Sequence, residues 1–94
     1  MIRWSEHAAA NLEDAYEYIV YSNGEEAADK IADLIVEAVE RLATYPMLGR
    51  TGRIPGTREL VVAKTPFIVT YRIDKDSVLI LAIYHGAQRW PTSL

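Results

Sequence analysis

Residues Phe67 to Pro91 read FIVTYRIDKDSVLILAIYHGAQRWP: two apolar, β-branched runs joined by a short charged turn and followed by a polar and aromatic tail. The pattern predicts a β-hairpin. Successive strand side chains point to opposite faces, so Phe67, Val69, Tyr71 and Ile73 share one face while Ile68, Thr70 and Arg72 share the other. The second run, Val78 to Tyr84, is apolar at every position, as a central strand covered on both sides requires. The remainder of the chain must supply that cover.

Immediately upstream, Arg58 to Lys64 reads as another strand, closed by Thr65-Pro66 before the hairpin begins. Before it lies MLGRTGRIPGT, residues 47–57, where Gly49, Gly52, Pro55 and Gly56 fall within eleven residues and no hydrophobic period is found. A loop is expected. Connections of this length inside a compact domain are uncommon and often functional, and this one carries Arg50 and Arg53. It contains neither GxxxxGK[ST] nor a GxGxxG leading from strand into helix, which sets nucleotide binding aside.

Further upstream the apolar spacing changes to that of helices. Ala8, Leu12, Ala15, Tyr16 and Ile19 recur every three or four residues, with Glu13, Asp14 and Glu17 opposite them. This predicts an amphipathic helix from Ser5, as N-cap, to about Tyr21, with Glu6 in its first turn. A second helix, about Gly24 to Thr44, aligns Ala28, Ile31, Ile35, Ala38 and Leu42 in a stripe widened by Ala32, Val36 and Val39. Ser22 or Asn23 can cap it, each with a glutamate three residues on. A connection of two or three residues predicts an antiparallel αα-hairpin. Pro46 makes Tyr45 a sensible end, and Met1 to Trp4 forms a short apolar lead strand.

The expected fold is therefore α+β, in the order β-α-α-β-β-β. An αα-hairpin packs on one face of a small, mainly antiparallel four-stranded sheet built from residues 1–4, 58–64, 67–73 and 78–85. Residues 1–94 are expected to form one domain. Leu12, Tyr16, Ile19, Ile31, Ile35, Leu42, Val69, Tyr71, Ile80 and Leu81 are the expected core.

Composition bounds the function. Ninety-four residues bury roughly 60% of the surface that the unfolded chain would expose. The chain has no cysteine, so disulfides and Cys-based zinc sites are ruled out and a reducing compartment fits best. With no signal-like apolar run near the start and no membrane-span-length segment, a cytoplasmic protein without membrane contact is expected. The net charge of −3 is segregated. Residues 1–40 hold ten acidic side chains against Arg3 and Lys30, and residues 41–94 hold eight basic ones against Glu59, Asp74 and Asp76. That asymmetry gives the two parts different potentials, while the total argues against a general RNA-coating role.

Candidate chemistry is sparse. The two histidines, His7 and His85, belong to no HExxH motif, carboxylate cluster or nucleophile elbow, so neither metal nor cofactor is expected. His85, where a strand gives way to Gly86, has the position of a general acid or base, or of a plain half-buried strand-end residue. Arg58 and Arg72 are expected to share the sheet face away from the helices, with Thr70, where two cations suit a phosphate or carboxylate. The alternatives are an exposed strand charge for Arg72 and an ion pair with Glu59 or Asp74 for Arg58. In the tail, Gln88, Arg89 and Trp90 either meet a partner or, for the indole, cap the core.

Four segments, WSEHAAANLEDAYEYI, LATYPMLGRTGRIPGTRELVV, TPFIVTYRI and LAIYHGAQRWP, together resemble the RelE/ParE superfamily of toxins from bacterial type II toxin-antitoxin pairs. The resemblance spans nearly the whole chain and implies a toxin neutralised by a cognate antitoxin protein. RelE-type members cleave mRNA on the ribosome with cations on the second and third strands and an Arg, His or Tyr near the C-terminus. By position Arg58 matches the first of these, but Leu60 and Ile68 stand where further cations are expected, while His85 is kept and Arg72 and Arg89 are shifted. The set is more similar to the ParE branch, which implies DNA gyrase as target and Arg58, Arg72, His85, Arg89 and Trp90 as contact residues. The alternative is a RelE-like, ribosome-dependent endoribonuclease acting on RNA through Arg58, Arg72 and His85. A third expectation is a degenerate domain that only binds a partner.

Overall fold

The computed structural model describes residues 1–86. Its elements are β1 (Ile2–Trp4), α1 (Glu6–Asn23), α2 (Glu25–Arg41), β2 (Arg50–Thr51), β3 (Arg58–Val61), β4 (Phe67–Asp74) and β5 (Ser77–His85). The five strands form one sheet in the order β1-β5-β4-β3-β2. β1 runs parallel to β5 and every other pair is antiparallel. The α+β class and the helix pair on a mainly antiparallel sheet are as expected, whereas the sheet has a fifth strand. That strand is Arg50–Thr51, inside the segment expected to be a loop, paired with Arg58 and Glu59 of β3.

Ser5 caps α1 as its sequence position suggests. Its hydroxyl accepts from the Ala8 amide at 3.0 Å and donates to the Leu81 carbonyl at 3.1 Å, so one side chain both starts the helix and fastens it to β5. β1 stops at Trp4 while β5 continues, and the Ile83 amide donates to Asn11 Oδ1 at 3.0 Å from α1. The helix thereby takes the place of a strand along that edge.

The junction between the helices is shorter than expected. Gly24 alone, at φ +97°, ends α1 and begins α2, and its amide donates to Ile19 and Val20. A left-handed φ suits glycine because it has no Cβ. Neither Ser22 nor Asn23 caps α2 as expected: the Ser22 hydroxyl donates back to the Tyr18 carbonyl at 2.9 Å, inside α1.

The core lies between the helices and one sheet face. Ile35, Ala38, Val39 and Leu42 from the second helical segment meet Leu60, Val69, Tyr71, Val78 and Ile80, with Leu12, Ile19 and Ile31 partly buried at the margin. Two expected core residues fall outside this cluster. Tyr16 is partly exposed and donates to Asp29 Oδ1 at 2.6 Å. Leu81 is half-buried because Thr70 pairs with Ala82 and Tyr71 with Ile80, leaving Leu81 without a partner in a β-bulge. β5 is covered on both sides only in part: Val78 and Ile80 are buried under the helices and Ala82 is buried on the other face opposite Thr70, whereas Leu79, Leu81 and Tyr84 are half-buried.

Candidate functional site

The expected pairing of Arg58 with Arg72 does not occur. Arg58 lies directly opposite Tyr71, whose ring points into the helix-side core, and Arg72 is the next residue along β4. Directly paired residues share a face and consecutive ones do not, so the two arginines stand on opposite sides of the sheet. A one-residue difference in register is enough to produce this. Arg58 Nη1 donates to the Gly49 carbonyl at 2.6 Å. Arg72 is exposed and paired through its backbone with Leu79.

His85 lies at the far end of the hairpin, opposite Phe67, with the two rings edge to face at 5.6 Å between centroids. Phe67 and Arg72 are five residue steps apart along β4, about 17 Å at the usual strand rise. His85 borders a cleft of about 450 Å³ with Asn11, Asp14, Tyr18, Phe67 and Ile83. It also borders a second of about 360 Å³ with Ile19, Ala27, Ile31 and Pro66. Exposed Tyr18 and Tyr21 extend this apolar margin along α1. Gln88, Arg89 and Trp90 lie outside the described residues.

The glycine- and arginine-rich segment proves to be a braced arch. The Tyr71 hydroxyl donates to the Pro46 carbonyl at 2.7 Å and accepts from the Gly49 amide at 2.9 Å. Burial pushes the Tyr71 pKa up, opposed by the Gly49 amide and the Arg58 charge. A Cβ on Gly49 would come within 2.7 Å of that hydroxyl, and one on Gly52 would collide with the Thr57 hydroxyl.

Glu59 is the second brace. Its side chain is only 2% exposed, yet Arg50 Nη2 meets Oε1 at 3.1 Å and the Arg53 amide donates to Oε2 at 2.9 Å. The carboxylate thus holds the Arg50 and Arg53 positions of the arch against β3. Arg50 and Arg53, whose position in a long loop suggested a functional segment, both pair with it, Arg53 at 3.8 Å. The structural roles of Tyr71 and Glu59 were not apparent from sequence: nothing local marks which strand residues face the arch.

Among the described residues no group of three or more His, Asp or Glu is placed to hold a metal ion, and no helix is long and apolar enough to cross a membrane. Among the described residues Arg58, Arg72 and His85 stand apart: the two arginines lie on opposite faces, and His85 lies at the other end of the hairpin.

Comparison with known proteins agrees with this architecture. Residues 2–90 match the family described as ParE toxin of type II toxin-antitoxin system, parDE. Y4kP of Sinorhizobium fredii, a candidate toxin by its name, is 44% identical over 93 residues, covering 99% of this chain and 95% of its own. Toxin RelE3 of Caulobacter vibrioides is 37% identical over 65 residues, covering 67% of this chain and 70% of its own. A solved chain of the chromosomal ParDE TA system from P. aeruginosa superposes with a TM-score of 0.82 at 32% identity, over 89% of this chain and 92% of that one.

Proposed function

Since the chain belongs to the ParE toxin family of type II toxin-antitoxin systems, we propose that it arrests growth by binding DNA gyrase and that a cognate antitoxin neutralises it. The observation that carries a binding rather than a cleaving mode is the separation of Arg58, Arg72 and His85. Cleaving RNA without a metal needs cations gathered about the scissile phosphate and a proton shuttle beside them, because charge builds there in the transition state. Here Arg58 and Arg72 occupy opposite faces, and His85 sits at the other end of the hairpin. Leu60 and Ile68 stand where further cations would be needed, and both are buried.

The proposed target contacts are those of the basic second half: Arg58, Arg72, His85, Arg89 and Trp90. Adding purified protein to a gyrase supercoiling reaction and, separately, to ribosomes translating a toeprinted message tests the reading. Inhibited supercoiling with intact message is expected. Cleaved message with unaffected supercoiling would overturn it and make His85 the first residue to replace.

For the antitoxin, the cleft between α1 and the Phe67–His85 end of the hairpin suits an apolar helix. An extended segment has an edge to join where β3 continues past β2 at Leu60 and exposed Val61. Pull-down from the native host should recover a small protein encoded next to the toxin gene, and recovery of none would refute this part.

A further inference from the structure

On the open face of the sheet, Leu79 of β5 pairs with Arg3 of β1 on one side and with Arg72 of β4 on the other. Directly paired residues point the same way, so Arg3, Leu79 and Arg72 form one cross-strand row, the arginine Cα atoms about 10 Å apart at two strand spacings. Both arginines are exposed, and among the described residues neither makes a side-chain hydrogen bond or ion pair. Asp74, two residues beyond Arg72 on the same face, forms no ion pair with it.

Beside this row a cleft of about 600 Å³ opens between the arch and the start of α1. Arg72 and the bulged Leu81 form its floor, Ile54 and Pro55 overhang it from the arch, and His7 borders it from α1. The braces described above hold the overhang: Thr57 continues the β3 line, its hydroxyl donating to the Ile54 carbonyl at 2.6 Å, and Glu59 grips the Arg53 amide. Ser5 also lines the cleft, but its hydroxyl is already engaged with Ala8 and Leu81.

We propose that this cleft docks a segment of the target protein that presents a carboxylate beside an apolar side chain. The inference rests on the reading that the toxin acts by binding a protein. A guanidinium pairs with a carboxylate through two parallel hydrogen bonds, and uncommitted guanidinia offer that geometry without first breaking an internal pair. The apolar wall of Ile54, Pro55 and Leu81 selects a neighbour that water does not hold. A nucleic-acid backbone needs a track of cations following its phosphates, whereas this cleft is lined by one arginine, Arg72, with Arg3 beyond Leu79 in the adjoining row, in a chain of net charge −3.

Titration of the full-length protein, followed by amide NMR, tests the idea with three probes: a short peptide of alternating Leu and Glu, its Leu-Gln counterpart, and a short single-stranded oligothymidylate. The acidic peptide should move the Thr57, Arg72 and Leu81 signals, and the double variant Arg3→Glu/Arg72→Glu should weaken it about tenfold or more, as reversal of a contact charge does. Should that variant melt below the parent, Arg3→Gln/Arg72→Gln serves in its place. Equal binding of the Leu-Gln peptide, preference for the oligonucleotide, or no movement at these positions would each overturn the proposal. In the supercoiling reaction the same variant should lose inhibition, and full inhibition would also overturn it. Failure of the parent protein to inhibit gyrase would instead sink the gyrase reading and leave the peptide titration to decide this one.

Discussion

The Tyr71 hydroxyl accepts the Gly49 amide proton at 2.9 Å and thereby ties the middle of the sheet to the beginning of the arch. Its own proton goes to the Pro46 carbonyl at 2.7 Å. Tyr71→Phe keeps the ring in the core and leaves the buried Gly49 amide without its acceptor. A loss of about 1–3 kcal/mol is expected from an unsatisfied buried group. Urea unfolding measures it, and a change below about 0.5 kcal/mol would mean the hydroxyl is not a brace.

Glu59→Ala should loosen the arch more than its ion pairs suggest. Arg50 is half exposed in its pair with Glu59, so the coupling in an Arg50/Glu59 double-mutant cycle should not exceed about 1 kcal/mol. The larger effect is the loss of the hydrogen bond from the Arg53 amide to the carboxylate, about 1.5–3 kcal/mol for a bond to a charged group. Hydrogen exchange at the Gly52 amide, which donates to the Thr57 carbonyl at 2.8 Å, should accelerate. Unchanged exchange there would show that the carboxylate does not hold the arch.

Ile35 is 1% exposed, at the centre of the α2 face that meets the sheet. Ile35→Ala removes three carbons from a packed interior, at a cost of about 2–5 kcal/mol. Equilibrium denaturation checks this, and a surface-sized effect would place the α2 stripe outside the core.

Tyr16 gives stability an alkaline signature. Its hydrogen bond to Asp29, with lesser help from desolvation and nearby negative charge, pushes its pKa from 10.0 up to about 12. The fold favours the protonated phenol, so the contribution is complete below pH 10 and is lost as pH rises toward about 12. The stability difference between parent and Tyr16→Phe should accordingly shrink across that interval. A difference that stays constant would show that the Asp29 contact does not favour the neutral form.

Much of the scaffold was legible because local patterns carry it. Three- and four-residue spacing marked both helices, Ser5 marked the first N-cap, and alternating β-branched residues marked the hairpin. The brief β2 strand was not legible, since two residues have no period of their own and Arg50–Thr51 become a strand only through Arg58 and Glu59. The bulge at Leu81 escaped for a related reason: apolar character alone does not say which residue a neighbouring strand skips.

By itself, the sequence determined the two helices and every strand but β2, their order, the absence of cysteine chemistry and the motifs that resemble the toxin superfamily, all properties of residues near one another in the chain. Only the tertiary structure decided which residues meet. It put Arg58 behind the sheet and Arg72 in front, carried His85 away from both, engaged Arg50 and Arg53 with buried Glu59, and brought Arg3 into line with Arg72 across Leu79. Alternation along a strand defines two faces but does not say which one meets the helices or which residue of another strand lies opposite. Long-range hydrogen-bond register sets those relations, and a single bulge changes them.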